Sequence, residues 1–140
     1  MVAYTTTAVT ASTNLSQHRH GDGGVVVNNA AGVTLTLPPA AGRGTSIEVF
    51  IGTSVTSNNV IIKTSGTDVM SGVLLLAPTA GGAVNGYGTA ANTNTISLNG
   101  TTKGGLKGDK LVLRDVASGL WRVDGSLTQS GTVATPFSNT

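Results

Sequence analysis

Val33-Thr34-Leu35-Thr36-Leu37 alternates apolar and hydroxyl side chains, and Pro38-Pro39 follows at once. In an extended chain successive side chains point to opposite faces. This run therefore places Val33, Leu35 and Leu37 on one face and two threonines on the other, the pattern of a half-buried strand. The prolines end it, because proline has no N–H to donate to a ladder.

On the N-terminal side, Asn28-Asn29-Ala30-Ala31-Gly32 reads as the turn that separates this strand from a shorter one, Val25-Val26-Val27. On the C-terminal side, residues 45–51 form the next strand. Ile47, Val49 and Ile51 face one way, and Glu48 and Phe50 the other. Asn58 to Thr64 is a further strand, and Asp68 to Ser71 turns into Gly72-Val73-Leu74-Leu75-Leu76. That apolar run is expected to be buried on both faces or to lie under a loop. Residues 77–93 read as the longest loop, and a loop of that length often serves as a contact surface. Strands resume at Asn94–Leu98, and Asn99-Gly100 is a tight-turn dipeptide. Asp109–Asp115 and Leu120–Gly125 then make an antiparallel pair joined by Val116-Ala117-Ser118-Gly119, with Trp121 and Val123 on one face.

Eight short strands and no sustained helical stripe favour a sandwich, jelly roll or small barrel. The expected fold is all-β, an antiparallel sandwich or jelly roll. The absence of a fixed repeat argues against a solenoid. Residues 1–23, rich in Thr, Ala and Ser and ending in Gly21-Asp22-Gly23, read as an extended, flexible N-terminal arm. Residues 24–126 form the β domain. Residues 127–140 form a polar tail packed on the domain or on a neighbour, with Phe137 as its anchor.

Composition supports this reading. The chain has 140 residues, suited to one domain, with 20 glycines and 4% aromatics, so Val, Ile and Leu must build the core. Charged residues make up 10%, well below the usual share of about 25%, so part of the surface is expected to be covered by a partner. A net charge of +2 gives little electrostatic steering, and nucleic-acid binding is not implied. With no cysteine, disulfides and thiolate chemistry are excluded. No apolar window approaches membrane-spanning length, and the first fifteen residues lack the basic start and apolar core of a secretory signal.

The chemistry-bearing motifs are thin. Gly104-Gly105-Leu106-Lys107-Gly108 has the wrong order for a phosphate loop. His18 and His20 would share a side of an extended arm, but two imidazoles fall short of a zinc site. Asp109 and Asp115 bracket a strand about 20 Å long, too far apart for paired-carboxylate hydrolysis. Asp115 and Asp124, with Arg114 and Arg122, read as a surface ion-pair cluster across the hairpin. Lys103, Lys107 and Lys110 read as a solvated loop. No catalytic residue, cofactor or metal is assigned.

Several segments carry a resemblance to one family. They are Val33 to Pro38, Gly42-Arg43-Gly44-Thr45 through Ile51, Asn58-Asn59-Val60-Ile61-Ile62, and Asp68 to Gly72. Gly119 to Gly125 and Gly131 to Ser138 complete the set. In texture and order, residues 24–138 resemble small tailed-bacteriophage virion proteins of the head-decoration or head-fibre type. The resemblance implies a homotrimer on the outer capsid surface that binds the major capsid protein and stabilises the shell, often through an N-terminal arm. Under it, Tyr4, Leu15, His18, Arg19 and His20 are candidates for capsid attachment. Phe50, Leu75, Trp121 and Phe137 are candidates for oligomer or core packing. Neither nucleic acid nor membrane is an expected partner. Rival readings are a tail-fibre or receptor-binding module holding a glycan on Trp121 or Tyr87, and a small hydrolase.

Overall fold

The computed structural model describes residues 5–140. Its N-terminal half is built from six strands: Thr7–Val9 (β1), Thr13–Asn14 (β2), Val25–Val27 (β3), Thr34–Thr36 (β4), Ser46–Ile51 (β5) and Val60–Lys63 (β6). These strands alternate between two sheets. β1, β3 and β5 are consecutive neighbours in one sheet, and β2, β4 and β6 in the other. All four pairings within these two sets are parallel. The chain therefore winds as three stacked rungs, each contributing one strand to each sheet.

The C-terminal half has a different character. It supplies Val69–Pro78 (β7), Asn85–Gly88 (β8), Thr95–Leu98 (β9), Lys110–Ala117 (β10), Leu120–Gln129 (β11) and Phe137–Ser138 (β12). The seven-stranded sheet runs β1-β3-β5-β10-β11-β7-β8, and the five-stranded sheet runs β12-β9-β6-β4-β2. The β10–β11 hairpin inserts between β5 and β7, so β11 meets β7 in parallel through ten residue pairs, Leu120 to Gln129 against Val69 to Pro78. A four-residue helix, Gln17–His20 (α1), is the one helix among the described residues, and it is too short to cross a membrane.

The mostly-β, two-sheet architecture agrees with the sequence, and all eight expected strands are present. Four features differ. The sheets are mixed rather than antiparallel, with five parallel and five antiparallel pairings. The coil of three rungs has no repeat because its turns differ in length. The offset is 18 residues where Thr7 faces Val25 and 24 where Val25 faces Val49. The segment read as a free arm enters both sheets from Thr7 onward, and Val9, Leu15 and His20 are buried. Finally, β11 continues through Leu127 to Gln129, so the first three residues read as tail belong to a strand.

Between the sheets, Ile47, Val49, Ile51, Met70, Leu74, Leu111, Leu113, Trp121 and Val123 meet Leu35, Val60, Ile62, Ile96 and Leu98 from the opposite layer. Each fully buried aliphatic side chain contributes on the order of 1.5–3 kcal/mol of burial free energy. Gly72 lies in β7 at φ 153, and a Cβ there would overlap the Val123 carbonyl of β11. Glycine therefore permits a close backbone approach in the middle of the larger sheet. The last strand ties down the tail. Phe137 pairs with Ile96 and joins the core.

Candidate functional surface

Two carboxylates at the ends of β10 organise the loops around them. Asp115 is fully buried. Its Oδ1 accepts from the Gly42 amide at 2.6 Å and the Ala41 amide at 3.0 Å. Its Oδ2 accepts from Gln17 Nε2 at 2.8 Å and the Arg43 amide at 3.2 Å. Burial alone would push this pKa up. The amides of Ala41 and Gly42, the Gln17 side chain and the Arg43 amide together outweigh it, and they hold the carboxyl below its ordinary value. Asp115 thereby ties β10 to α1 and to the Ala41–Arg43 turn.

Asp109 does the same at the other end. Its Oδ2 accepts from the Gly105 and Leu106 amides at 2.8 and 3.1 Å, and its Oδ1 from the Thr128 amide and hydroxyl at 3.0 and 2.7 Å. The Gly104–Gly108 segment is thus turned around a carboxylate of its own chain, with the Gly105 and Leu106 amides engaged by it. Both aspartates are structural anchors. Asp115 faces Trp121 across the hairpin and Asp124 faces Val112, so the two carboxylates do not meet as the sequence suggested. The exposed pair is Arg122–Asp124, at 3.4 Å, and such surface pairs contribute about 0–1 kcal/mol.

The histidines separate too. Ser16 caps α1 by accepting the Arg19 amide on its hydroxyl, and the resulting turn rotates His18 and His20 away from each other. His18 is exposed, whereas His20 is 3% exposed and accepts the Ser16 amide on Nδ1 at 2.9 Å. Burial, with Arg19 adding to it, lowers the His20 pKa below the usual histidine value. Among the described residues no group of three or more His, Asp or Glu side chains is placed to hold a metal. Of the five attachment candidates, Leu15 and His20 lie in the interior, His18 and Arg19 are at the surface, and Tyr4 is outside the described residues.

The packing candidates divide between two environments. Trp121 and Phe137 belong to the core, and Trp121 is 0% exposed. Phe50 and Leu75 sit on the outer face of the seven-stranded sheet. There Phe50, Lys110, Ser126, Leu75 and Gly86 line up across neighbouring strands. The adjacent row is Glu48, Val112, Asp124, Val73 and Gly88. Val73 and Leu75 are 47% and 46% exposed, while Leu74 and Leu76 between them are buried. The apolar run of β7 is thus buried on one face only. Gly86 and Gly88 of β8 stand directly opposite Leu75 and Val73 and offer no side chain to cover them. Val116 on β10 is also exposed but lines a separate hollow with Ser71, Gly72, Leu120 and Arg122, and Val84 is exposed between β7 and β8. The sequence signal for this face was present in the unbroken Val73–Leu76 run, but the glycines that leave it open lay in the stretch read as a loop.

No protein-family model, curated protein or solved structure matches this chain.

Proposed function

We propose that this chain is a virion structural protein that binds the outer surface of a phage capsid as a symmetric homotrimer and stabilises the shell. The observation that carries the reading is the outer face of the seven-stranded sheet. Val73 and Leu75 form an exposed apolar surface beside Lys110 and Asp124, on a protein whose other large apolar side chains are mostly buried. Exposed apolar clusters rimmed by charge mark contact surfaces. The capsid as partner rests on the resemblance of residues 24–138 to phage head proteins. Under this reading function is spread over surfaces, and no catalytic step is assigned to Asp109 or Asp115, whose carboxylates are occupied by backbone donors.

The receptor-binding alternative calls for an exposed aromatic platform. Trp121 is enclosed in the core and Tyr87 is half-buried against that core, so neither aromatic named for that reading presents an open platform. Attachment also needs restating. Deleting residues 1–20 would remove a rung, including buried Val9 and Leu15 and the Gln17 bond to Asp115. Attachment should therefore be probed with surface substitutions.

Cryo-EM of particles that carry this protein provides the test. Density at capsid three-fold or quasi-three-fold positions is expected, with Leu75→Lys abolishing trimer formation and decoration together. Density confined to the tail, or a Leu75→Lys protein that decorates normally, refutes the proposal.

A further inference from the structure

Among the described residues, no strand pairs with the outer side of the first rung. β1 is the edge of the seven-stranded sheet and β2 is the edge of the five-stranded sheet, and the two belong to the same rung. Both strands direct donors outward. The Thr7 amide bonds to Gly24 and the Val9 carbonyl accepts from Asn28, so residues 7 and 9 face the next rung. Backbone groups alternate along a strand, which leaves the N–H and C=O of Ala8 pointing away from the fold. In β2 the Leu15 amide bonds to Thr36, which leaves those of Asn14 pointing away in the same manner.

Proteins usually protect such edges with lysine, proline, a bulge or a covering loop. Here no charged residue and no proline occurs before Arg19. An open cleft of about 440 Å³, lined by Thr7, Val9, Thr13, Asn14, Arg19 and His20 among others, lies at this end.

We propose that this end is a self-association edge that takes the same end of a second copy. A two-fold axis normal to the sheets reverses both strands at once, so β1 meets its own copy and β2 meets its own copy, each antiparallel. Ala8 then faces Ala8 and exchanges two backbone hydrogen bonds, and Asn14 does the same. This register puts Thr7 opposite Val9 of the copy, and both point inward, so the inner layer continues across the junction. Ala8 is small and exposed and the strands themselves carry no charge, which leaves Arg19 in the cleft as the one charged side chain near the contact. Both open edges are closed by one symmetric contact, as an isologous interface requires.

The contact is independent of the outer face on which the proposed trimer rests, and it pairs whatever oligomer that face builds. The rung is narrow, so the interface falls at the small, weak end of the range and association should appear from about 10 µM to about 1 mM.

Sedimentation velocity and native mass spectrometry on the full chain across that range supply the test. The basic species should double in mass as concentration rises. Ala8→Lys places two ammonium groups against each other and should move the doubling to at least tenfold higher concentration. Ala11→Lys, in the exposed turn of the same rung, should act in the same direction if the first variant folds poorly. Leu75→Lys should break the trimer and leave pairing intact, so failure of one contact is distinguishable from failure of the other. A wild-type mass that does not double, or a folded Ala8→Lys protein that pairs as the wild type does, overturns the proposal.

Discussion

Replacing Asp115 by asparagine keeps the shape of the side chain and removes one acceptor oxygen and the charge. In the native protein the carboxylate receives the amides of Ala41, Gly42 and Arg43 and the Gln17 side chain. Asparagine can keep its oxygen toward Ala41 and Gly42. Its NH2 then faces the Arg43 amide, donor against donor, while Gln17 can turn its otherwise unpartnered Oε1 toward that NH2. A buried donor left unsatisfied costs about 1–3 kcal/mol. Ala41 to Arg43 form an exposed turn, so the Arg43 amide can regain water and its share falls at the low end. The expected loss is about 1–3 kcal/mol at neutral pH, or roughly 3–9 °C in Tm for a domain of this size.

Urea unfolding followed by Trp121 fluorescence is the assay, at one fixed protein concentration because self-association adds to apparent stability. Trp121 is the sole tryptophan and wholly buried. The sign of the pH dependence follows from the lowered carboxyl. The unfolded chain takes up a proton near the ordinary value of 3.8, whereas the folded one resists until lower pH. The stabilisation is therefore complete well above that value and is lost as pH falls through it and then through the folded pKa. The gap between wild type and Asp115→Asn should narrow over that acid window. A difference below about 0.5 kcal/mol at pH 7, the ordinary range for a surface substitution, would refute the anchoring role. So would a gap that does not change on acidification.

Further outcomes follow from the same geometry. Gly72→Ala should cost more than about 2 kcal/mol, because its Cβ meets the Val123 carbonyl in the centre of the larger sheet; chemical denaturation checks it. Leu35→Ala empties a site with no exposure at the middle of β4 and should cost about 2–5 kcal/mol by the same assay. His20 has a lowered pKa, so stability should fall as pH drops from its ordinary value of 6.5 toward the folded one, and His20→Gln should remove that slope. Trp121 should give blue-shifted emission that acrylamide quenches poorly, and free access to the quencher would place it outside the core.

Alternation is a local property, and it was readable wherever a strand buried one face. Val33 to Leu37, residues 45–51 and the pair around Ser118-Gly119 were all legible, down to which side chains turn inward. Glycine and Asn-Gly punctuation placed the turns because those residues reach positive φ cheaply. By itself the sequence determined a helix-poor β protein with an aliphatic core. It also determined that Trp121 and Val123 share a face.

Apart from the β10–β11 hairpin, whose strands are neighbours in sequence, the tertiary structure alone decided how the strands were partnered. A two- or three-residue strand such as Thr13–Asn14 has no periodicity to read, and its identity comes from pairing with Leu35 and Thr36. Parallel pairing between strands 18 to 27 residues apart, from Thr7 opposite Val25 to Thr34 opposite Ile61, leaves no local mark. That is why the N-terminal segment looked detachable. The carboxylate of Asp115 looked like surface charge because its partners arrive from 72 to 98 residues away. Burial of a charge depends on donors that folding assembles around it, and no spacing in the chain announces them.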